Sequence, residues 1–351
     1  MELLELGWRP FFQQQISLDE LDTCTVARVV EVQRSGQTLW HEAGESTAVL
    51  GGRWFKYGPE TRPTVGDWVL FDENALTIER LLDRASLFKR MSPSTGDLQL
   101  IAANVDILFV VTSCNQEFNI SRLERYIALA LESGAQPVVV LTKADLTTDA
   151  ESYVAQVHSQ NPNVVVELVN AHDVETLQNL LQWCVKGQTV ALMGSSGVGK
   201  STLVNTLIGA DVQATAAIRE ADGRGRHTTS HRALIALPEG GLLIDCPGMR
   251  ELGIADLHEG VVSTFDDIEA FGRKCRFSDC AHESEPDCAV QKAVVDGELD
   301  SRRLDNYRKL LREELYNTES IAERHKRFRQ FSKTSRQAVA QKKLDSQKKD
   351  L

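Results

Sequence analysis

The residues from 194 to 201 have the types and spacing of a phosphate-binding loop. They read Gly-Ser-Ser-Gly-Val-Gly-Lys-Ser and match the pattern G-x-x-x-x-G-K-[ST]. An apolar strand is predicted before the loop and a helix after it, so backbone N–H groups and the helix N-terminus would surround anionic oxygens. Lys200 would contact the β- and γ-phosphates of a nucleotide, and the Ser201 hydroxyl would bind Mg²⁺. The alternative is a glycine-rich turn without a ligand.

A P-loop site also needs an acidic group on the Mg²⁺ side of the nucleotide, and this group is predicted at Asp245. The apolar run 242–244 leads into D-x-x-G, which places Asp245 to hold Mg²⁺ through water and the Gly248 amide to touch the γ-phosphate. Between the two motifs, residues 223–229 form a polar loop rich in Gly and Arg, of a kind that orders around phosphate and Mg²⁺. A Thr there would complete the metal shell. The spacing does not decide between Thr228 and Thr229, and we favour Thr229.

The identity of the base is predicted from Thr142-Lys143-Ala144-Asp145, which follows an apolar strand at 138–141. A carboxylate accepts two hydrogen bonds from the N1–H and N2–H₂ of guanine, and adenine has no such pair of donors. The motif therefore favours GTP over ATP. Taken alone, it is also compatible with a strand-to-helix turn in which Asp145 caps the helix.

Four candidate metal ligands lie within fourteen residues near the C-terminal end of the chain. Their spacing is Cys-x₄-Cys-x-His-x₅-Cys, at Cys275, Cys280, His282 and Cys288. This set suits a tetrahedral Cys₃His zinc site with no open position for a substrate, so the zinc would be structural. The alternative is a group of free thiols with a chance His.

The pattern of apolar residues and breakers divides the chain into three regions. Five short strands between residues 25 and 82 predict a small barrel; an OB-fold is one such barrel, and strand count does not choose among them. From about residue 105, strands alternate with helices, which predicts an α/β domain with a mainly parallel sheet. From about residue 256 the chain is helical and charged. We place the regions at 1–92, 93–255 and 256–351.

Aromatic residues of the predicted barrel are candidates for stacking on nucleic-acid bases if they are exposed. They would otherwise be core or barrel-end residues. The four are Trp40, Trp54, Phe55 and Tyr57.

The charge is distributed unevenly along the chain. The whole chain has 39 Lys+Arg and 50 Asp+Glu, a net charge of −11 that argues against a nucleic-acid binder, but its last fifty residues alone carry a charge of +8. This basic tail predicts a contact with a polyanion, or else a solvated helix face. The N-terminus lacks the features of a targeting peptide, and no apolar run approaches the roughly 20 residues that span a bilayer. We expect a cytoplasmic protein without a membrane contact.

The motifs together resemble the TRAFAC-type GTPases, but in a circularly permuted order. The base motif at 142–145 and a purine-side loop at Asn170 and Ala171 precede the phosphate loop, residues 223–229 and D-x-x-G. The combination of this order, an N-terminal barrel and the Cys₃His spacing resembles that of the ribosome small subunit-dependent GTPase A family (RsgA). The resemblance covers about residues 20–330. It implies an OB-fold barrel, GTP hydrolysis with Mg²⁺, one structural Zn²⁺, and a monomer that is stimulated by the 30S subunit and contacts 16S rRNA.

The resemblance also implies which residues bind GTP or GDP. Thr142, Lys143, Ala144 and Asp145 would bind guanine. The phosphate-binding residues would be Gly194, Ser195, Ser196, Gly197, Val198, Gly199, Lys200, Ser201 and Thr202.

The sequence departs from the family pattern at two places in the base site. Thr142 stands where the motif usually has Asn, which calls into question a bracing contact to the phosphate loop. Asn170-Ala171 replaces the more usual Ser-Ala. These departures predict weaker guanine binding.

The water-positioning residue also differs from that of Ras-like enzymes. Met249 follows the D-x-x-G glycine where those enzymes have Gln, and a thioether cannot orient water. We therefore expect slow intrinsic hydrolysis, with His227 as the candidate catalytic residue; the alternative is that His227 contacts RNA or solvent.

Two other functions remain open from the sequence. One is an RNA-binding assembly module that uses GTP only as a ligand. The other is a P-loop small-molecule kinase, which the base motif together with D-x-x-G disfavours.

Overall fold

The structure, a computed structural model, describes residues 1–33, 35–91, 98–171, 173–209, 233–245 and 257–318. Two short helices, α1 (Pro10–Gln13) and α2 (Leu18–Thr23), precede the first strands. Five strands follow: β1 (Thr25–Val32), β2 (Gln37–His41), β3 (Gly44–Ala48), β4 (Trp68–Asp72) and β5 (Thr77–Leu81). Two short 3₁₀ helices, Gly52–Phe55 and Pro59–Thr61, lie between β3 and β4.

The five N-terminal strands form a barrel. Strand β1 pairs with β2 and β4, β2 with β3, and β4 with β5, all antiparallel. A parallel bridge between Val49 and Thr77 joins the end of β3 to β5, so the strands close in the order β1-β2-β3-β5-β4. The interior holds alternate side chains such as Val29, Leu39 and Phe71, all fully buried. The small barrel expected from the spacing is present, and its assignment as an OB-fold stays a prediction.

A β-hairpin that the sequence pattern did not predict follows the barrel. It consists of β6 (Leu87–Met91) and β7 (Leu98–Ala103). Phe88 and Ile101 are fully buried in the same core as the following domain. The Ala103 amide donates a hydrogen bond of 2.8 Å to the Val65 carbonyl, so the hairpin also contacts the barrel.

The α/β region contains the alternation that the sequence predicted. Its strands are β8 (Ile107–Ser113), β9 (Gln136–Thr142), β10 (Val165–Leu168), β11 (Thr189–Met193), β12 (Ala233–Ala236) and β13 (Leu242–Asp245). Its helices are α3 (Ile120–Glu132), α4 (Ala150–Gln160), α5 (Val174–Leu181) and α6 (Lys200–Ile208), with a 3₁₀ turn at Ala144–Leu146.

The sheet of this region has the order β10-β9-β8-β11-β13-β12. The first five strands are parallel, and β12 is antiparallel to β13. All seven residues of β8 are buried, as expected for a central parallel strand covered on both faces. Glu31 of β1 pairs with Ala233 of β12, so the barrel strands continue the same sheet.

Four helices form the C-terminal part of the described chain. They are α7 (His258–Thr264), α8 (Asp266–Gly272), α9 (Ala289–Val295) and α10 (Ser301–Thr318). Helix α7 packs closely on α3, because a Cβ on Gly260 would lie 2.0 Å from the Ala128 carbonyl oxygen.

A buried polar cluster attaches α10 to α3. The carboxylate of Glu124, which is fully buried, accepts hydrogen bonds from Arg302, Arg303 and Asn306 at 2.6–3.1 Å. Arg303 also pairs with Asp267 of α8 at 2.9 Å. The cluster therefore connects the first helix of the α/β region to two helices of the C-terminal part.

Among the helices within the described ranges, none is both long and apolar enough to cross a membrane.

Candidate functional site

The phosphate-loop motif connects the end of β11 to the start of α6. Gly194 lies against the neighbouring strand β8, where a Cβ would come within 2.1 Å of the Val111 carbonyl oxygen. Gly199, at the N-cap of α6, has φ of 93°, in the left-handed region that favours glycine. Gly197 also lies in the left-handed region, with φ of 81°, so three glycines of the motif are required by the backbone path itself, before any ligand is considered.

The side chain of Lys200 lies within this loop. It is 9% exposed, and its Nζ donates to the Gly194 carbonyl at 2.7 Å and to the Ser195 carbonyl. The ammonium group is therefore held beside the loop backbone at the N-terminus of α6, where the helix dipole also favours an anion.

Thr142, at the end of β9, makes the bracing contact that the sequence called into question. Its Oγ1 lies 2.6 Å from the Val198 carbonyl oxygen and 3.1 Å from the Thr112 carbonyl oxygen, and the side chain is fully buried. Lys143 adds a second contact, since its Nζ donates to the Gly197 carbonyl at 2.8 Å. The contact that the sequence put in doubt is present, because a Thr hydroxyl reaches the loop carbonyl. Asp145 follows in the 3₁₀ turn and is exposed.

Two further Thr residues hold the loop at Asn170 and Ala171, and neither was predicted from the sequence. Thr176 of α5 accepts from the Asn170 amide at 3.0 Å. Thr206 of α6 donates to the Ala171 carbonyl at 2.8 Å. Thr206 lies one turn after Thr202 on the helix that begins at Lys200, so the same helix contacts both the phosphate loop and the purine-side loop. No sequence motif marks either Thr.

The motifs lie along one edge of the sheet. Thr142, Gly194 and Asp245 stand at or directly after the carboxyl ends of β9, β11 and β13, which are parallel strands. Ligands of open α/β sheets bind at this edge. The remaining candidates, His227, Thr228, Thr229, Gly248 and Met249, lie outside the described residues.

The four candidate metal ligands come together before and at the start of α9. The ligand atoms of Cys275, Cys280, His282 and Cys288 all lie within 4.8 Å of one another. Cys275 Sγ lies 3.8 Å from Cys288 Sγ, and His282 Nδ1 lies 3.6 Å and 3.5 Å from these two sulfurs. Zinc–sulfur bonds of about 2.3 Å in a tetrahedron separate two sulfurs by about 3.8 Å. The cluster therefore has the ligand chemistry and spacing that fit Zn²⁺.

The surroundings favour the metal-binding forms of Cys275 and His282, a thiolate and a neutral imidazole, but not that of Cys280, because burial raises the pKa of Cys280 to about 11. Although burial acts to raise the pKa of Cys275, hydrogen bonds from the Val290 and Ala289 amides hold it below the ordinary value. Burial lowers the pKa of His282, and the nearby charge of Arg308 lowers it further.

Two of the four barrel aromatics are exposed. Trp40 and Trp54 are half-buried, and their indole N–H groups donate to the Glu45 carboxylate and the Ile78 carbonyl. Phe55 is 58% and Tyr57 70% exposed. Stacking on a base therefore remains a prediction for Phe55 and Tyr57, whereas Trp40 and Trp54 pack against the protein.

Comparison with known proteins decides the family. The "small ribosomal subunit biogenesis GTPase RsgA 2" of Vibrio parahaemolyticus is 48% identical over 346 residues, covering 98% of this chain and 95% of that protein. The RsgA protein of Mesorhizobium japonicum is 43% identical over 90% of this chain and 91% of its own. A family model for RsgA GTPase matches residues 81–255. The chain belongs to the RsgA GTPase family.

Solved structures agree with membership of the RsgA family. YjeQ from Thermotoga maritima has a TM-score of 0.61 at 25% identity, covering 83% of this chain and 99% of that one. YloQ, described as a circularly permuted GTPase, has a TM-score of 0.59 at 25% identity and covers 85% and 97%. The permuted order expected from the motifs is therefore confirmed.

A model for ABC transporters also matches, over residues 177–347. That range contains the phosphate loop, a motif found in many nucleotide-binding proteins. The RsgA relatives cover almost the whole chain, including the barrel and the base motif, and so account for more of the sequence.

Proposed function

We propose that this chain hydrolyses GTP during biogenesis of the small ribosomal subunit and that the subunit stimulates the hydrolysis. Its relatives carry the name of a small ribosomal subunit biogenesis GTPase, and the chain covers nearly all of their length. The proposed substrate and product are GTP and GDP, and the proposed partner is the 30S subunit with its 16S rRNA.

The observation that supports the proposal most is the direct attachment of the base motif to the phosphate loop. Thr142 and Lys143 contact the carbonyl oxygens of Val198 and Gly197, so the two ends of a bound nucleotide would be held at a fixed separation. Asp145 is exposed beside this contact and free to accept the guanine donors. Asn170 and Ala171 would complete the purine side.

Phosphoryl transfer needs positioning and charge stabilisation more than covalent chemistry by the protein. Lys200 and the amides of residues 194–202 would bind the phosphates, and Gly248 would contact the γ-phosphate. Mg²⁺ bound with the nucleotide would neutralise phosphate charge, and Ser201, Thr229 and Asp245 would hold it. With Met249 at the usual Gln position, His227 would orient the attacking water once the 30S subunit has bound.

The path of the chain supports a link between nucleotide state and rRNA binding. The segment that carries Gly248 connects the end of β13 to α7, and α7 and α10 pack on α3 of the α/β region. A change near the γ-phosphate would therefore bear on the attachment of the C-terminal helices. The basic stretch beyond them would supply the salt-dependent contact with RNA.

Cys275, Cys280, His282 and Cys288 would hold one structural Zn²⁺. Four protein ligands leave no open coordination position, so the metal would stabilise the segment between α8 and α9 and would take no part in hydrolysis.

The decisive experiment is a phosphate-release assay of the full chain with purified 30S, 50S and 70S particles. We expect slow turnover alone and a large increase with 30S subunits only. Lys200→Ala should abolish both rates, and His227→Ala should lose the stimulated rate while GDP affinity is unchanged.

Three other results of the phosphate-release assay would contradict parts of the proposal. A rate that stays at background with every particle would favour an RNA-binding module that uses GTP only as a ligand. An unchanged stimulated rate in His227→Ala would remove this residue from the mechanism. Phosphate transfer to an acceptor other than water would indicate a kinase.

A further inference from the structure

Arg308 of α10 has a largely buried guanidinium group, and two of its donors have no partner in the described residues. Its side chain is 15% exposed, and its Nε and Nη2 atoms are buried without a hydrogen-bond partner in the described part of the chain. Its ion pair is with Asp305, at 3.6 Å, and the Asp305 side chain is 77% exposed. Unsatisfied buried donors on a charged group are costly, so this arrangement calls for a compensating negative group.

The position of Arg308 points to the metal cluster as that group. The preceding residue, Tyr307, has its ring 6.5 Å from the imidazole of His282. Arg312, one helical turn later, lies 4.0 Å from Glu283. This stretch of α10 therefore packs on the segment that carries the His ligand.

The zinc-loaded cluster would carry a negative charge, opposite to the charge of Arg308. Three thiolates and a neutral imidazole around Zn²⁺ give a net charge of −1. Backbone amides of α9 already donate to the sulfurs: the Gln291 amide lies 3.4 Å from Cys288 Sγ. Amides supply only partial charges, so a full negative charge remains to be balanced.

We propose that Arg308 is a positioning residue for the zinc centre, supplying the counter-charge that retains the metal. The inference rests on the proposed zinc site. Groups just outside the ligands typically change metal affinity by about 10- to 100-fold when they are removed. Arg308 would thus secure the metal through its charge.

The test compares zinc release from the full-length wild type, Arg308→Met, Arg308→Lys and Arg312→Met. Zinc content is measured after gel filtration, and release into excess chelator is followed with a chromophoric zinc indicator. We expect Arg308→Met to release zinc about 10- to 100-fold faster and Arg308→Lys to be intermediate, because Lys keeps the charge but loses the planar set of donors. Arg312→Met is the matched control: it removes the same charge from the same helix at a side chain that is 68% exposed. Its release rate should equal that of the wild type.

Unfolding in denaturant separates this role from ordinary packing. With zinc bound, Arg308→Met should unfold at a lower denaturant concentration than the wild type. After chelation the order should reverse or vanish, because the buried guanidinium then has no counter-charge. A residue that served packing alone would lower the midpoint in both states.

The outcomes distinguish the inference from the proposal on which it rests. If the wild-type chain purifies without zinc and does not bind added zinc, the proposal of a zinc site is wrong. A zinc-loaded wild type with equal release rates in Arg308→Met would overturn only the role of Arg308. If Arg308→Met does not fold, Arg308→Lys against Arg312→Met decides, and equal release from these two would overturn the role.

Discussion

The hydroxyl of Thr142 lies 2.6 Å from the carbonyl oxygen of Val198, and this contact joins the base motif to the phosphate loop across strand β8. Thr142 is fully buried, so no water competes for the contact. A residue that departs from the usual family motif thus still contacts the phosphate loop. We expect near-normal guanine-nucleotide affinity in place of the weaker binding that the sequence suggested.

Removing this contact should weaken nucleotide binding. Thr142→Val keeps the shape of the side chain but leaves the Val198 carbonyl without its donor, which costs about 1–3 kcal/mol for a buried group. We expect GDP to bind about tenfold more weakly in a titration with a fluorescent GDP analogue. Thr142→Ser keeps the hydroxyl and should bind within about twofold of the wild type. Equal affinities for the Val and Ser variants would show that the brace is unimportant.

The contact of Thr206 with Ala171 should affect base selection more than phosphate binding. Thr206→Val removes the donor that holds the Ala171 carbonyl, and a net loss of about 1 kcal/mol corresponds to about fivefold. We expect GDP affinity to fall by this factor while ADP affinity is unchanged, so the preference for GDP over ADP becomes about fivefold smaller. Thr206→Ser should restore the ratio. An equal loss for GDP and ADP would instead indicate damage to the phosphate loop.

The sequence predicted the α/β region, the nucleotide-binding motifs and the metal cluster because local patterns determine them. Continuous apolar runs marked β8 and β9, and the spacing of the Cys and His residues was enough to identify the metal cluster. The sequence pattern did not predict the β6–β7 hairpin, because its apolar and polar residues alternate only weakly and its buried residues, such as Phe88 and Ile101, are covered by parts of the chain distant in sequence. It also missed Thr206 and Glu124, since their partners are distant in the chain and no local pattern records such contacts.

The charge of Glu124 should be essential for attachment of the C-terminal helices. Glu124→Gln would leave Arg302 and Arg303 beside a neutral group, and breaking a buried ion pair costs about 3–5 kcal/mol. We expect a loss of about 3 kcal/mol in the free energy of unfolding, measured in urea with a probe on α10. The control is Glu313→Gln, which breaks the partly exposed pair with Arg125 and should cost less than about 1 kcal/mol. Similar losses in the two variants would contradict a special role for the buried cluster.

The close approach of α7 to α3 at Gly260 should make this position intolerant of any side chain. A Cβ there would lie 2.0 Å from the Ala128 carbonyl oxygen and 2.9 Å from the Cβ of Glu132, and neither the helix backbone nor a Cβ can move independently. Gly260→Ala should therefore displace α7, at a cost of about 1–3 kcal/mol. The shift would also break the 2.8 Å hydrogen bond from the Gly260 amide to Glu132.

The expected result for Gly260→Ala is faster proteolytic cleavage between the α/β region and the C-terminal helices, with unchanged GDP affinity. Since α7 follows the segment that carries Gly248, the variant should also lose much of the stimulation by 30S subunits. Gly52→Ala is the control, because a Cβ at Gly52 meets nothing within 4 Å and the position does not require a positive φ. If Gly260→Ala keeps both wild-type protease resistance and full stimulation, the contact between α7 and α3 plays no part in coupling the nucleotide site to the C-terminal helices.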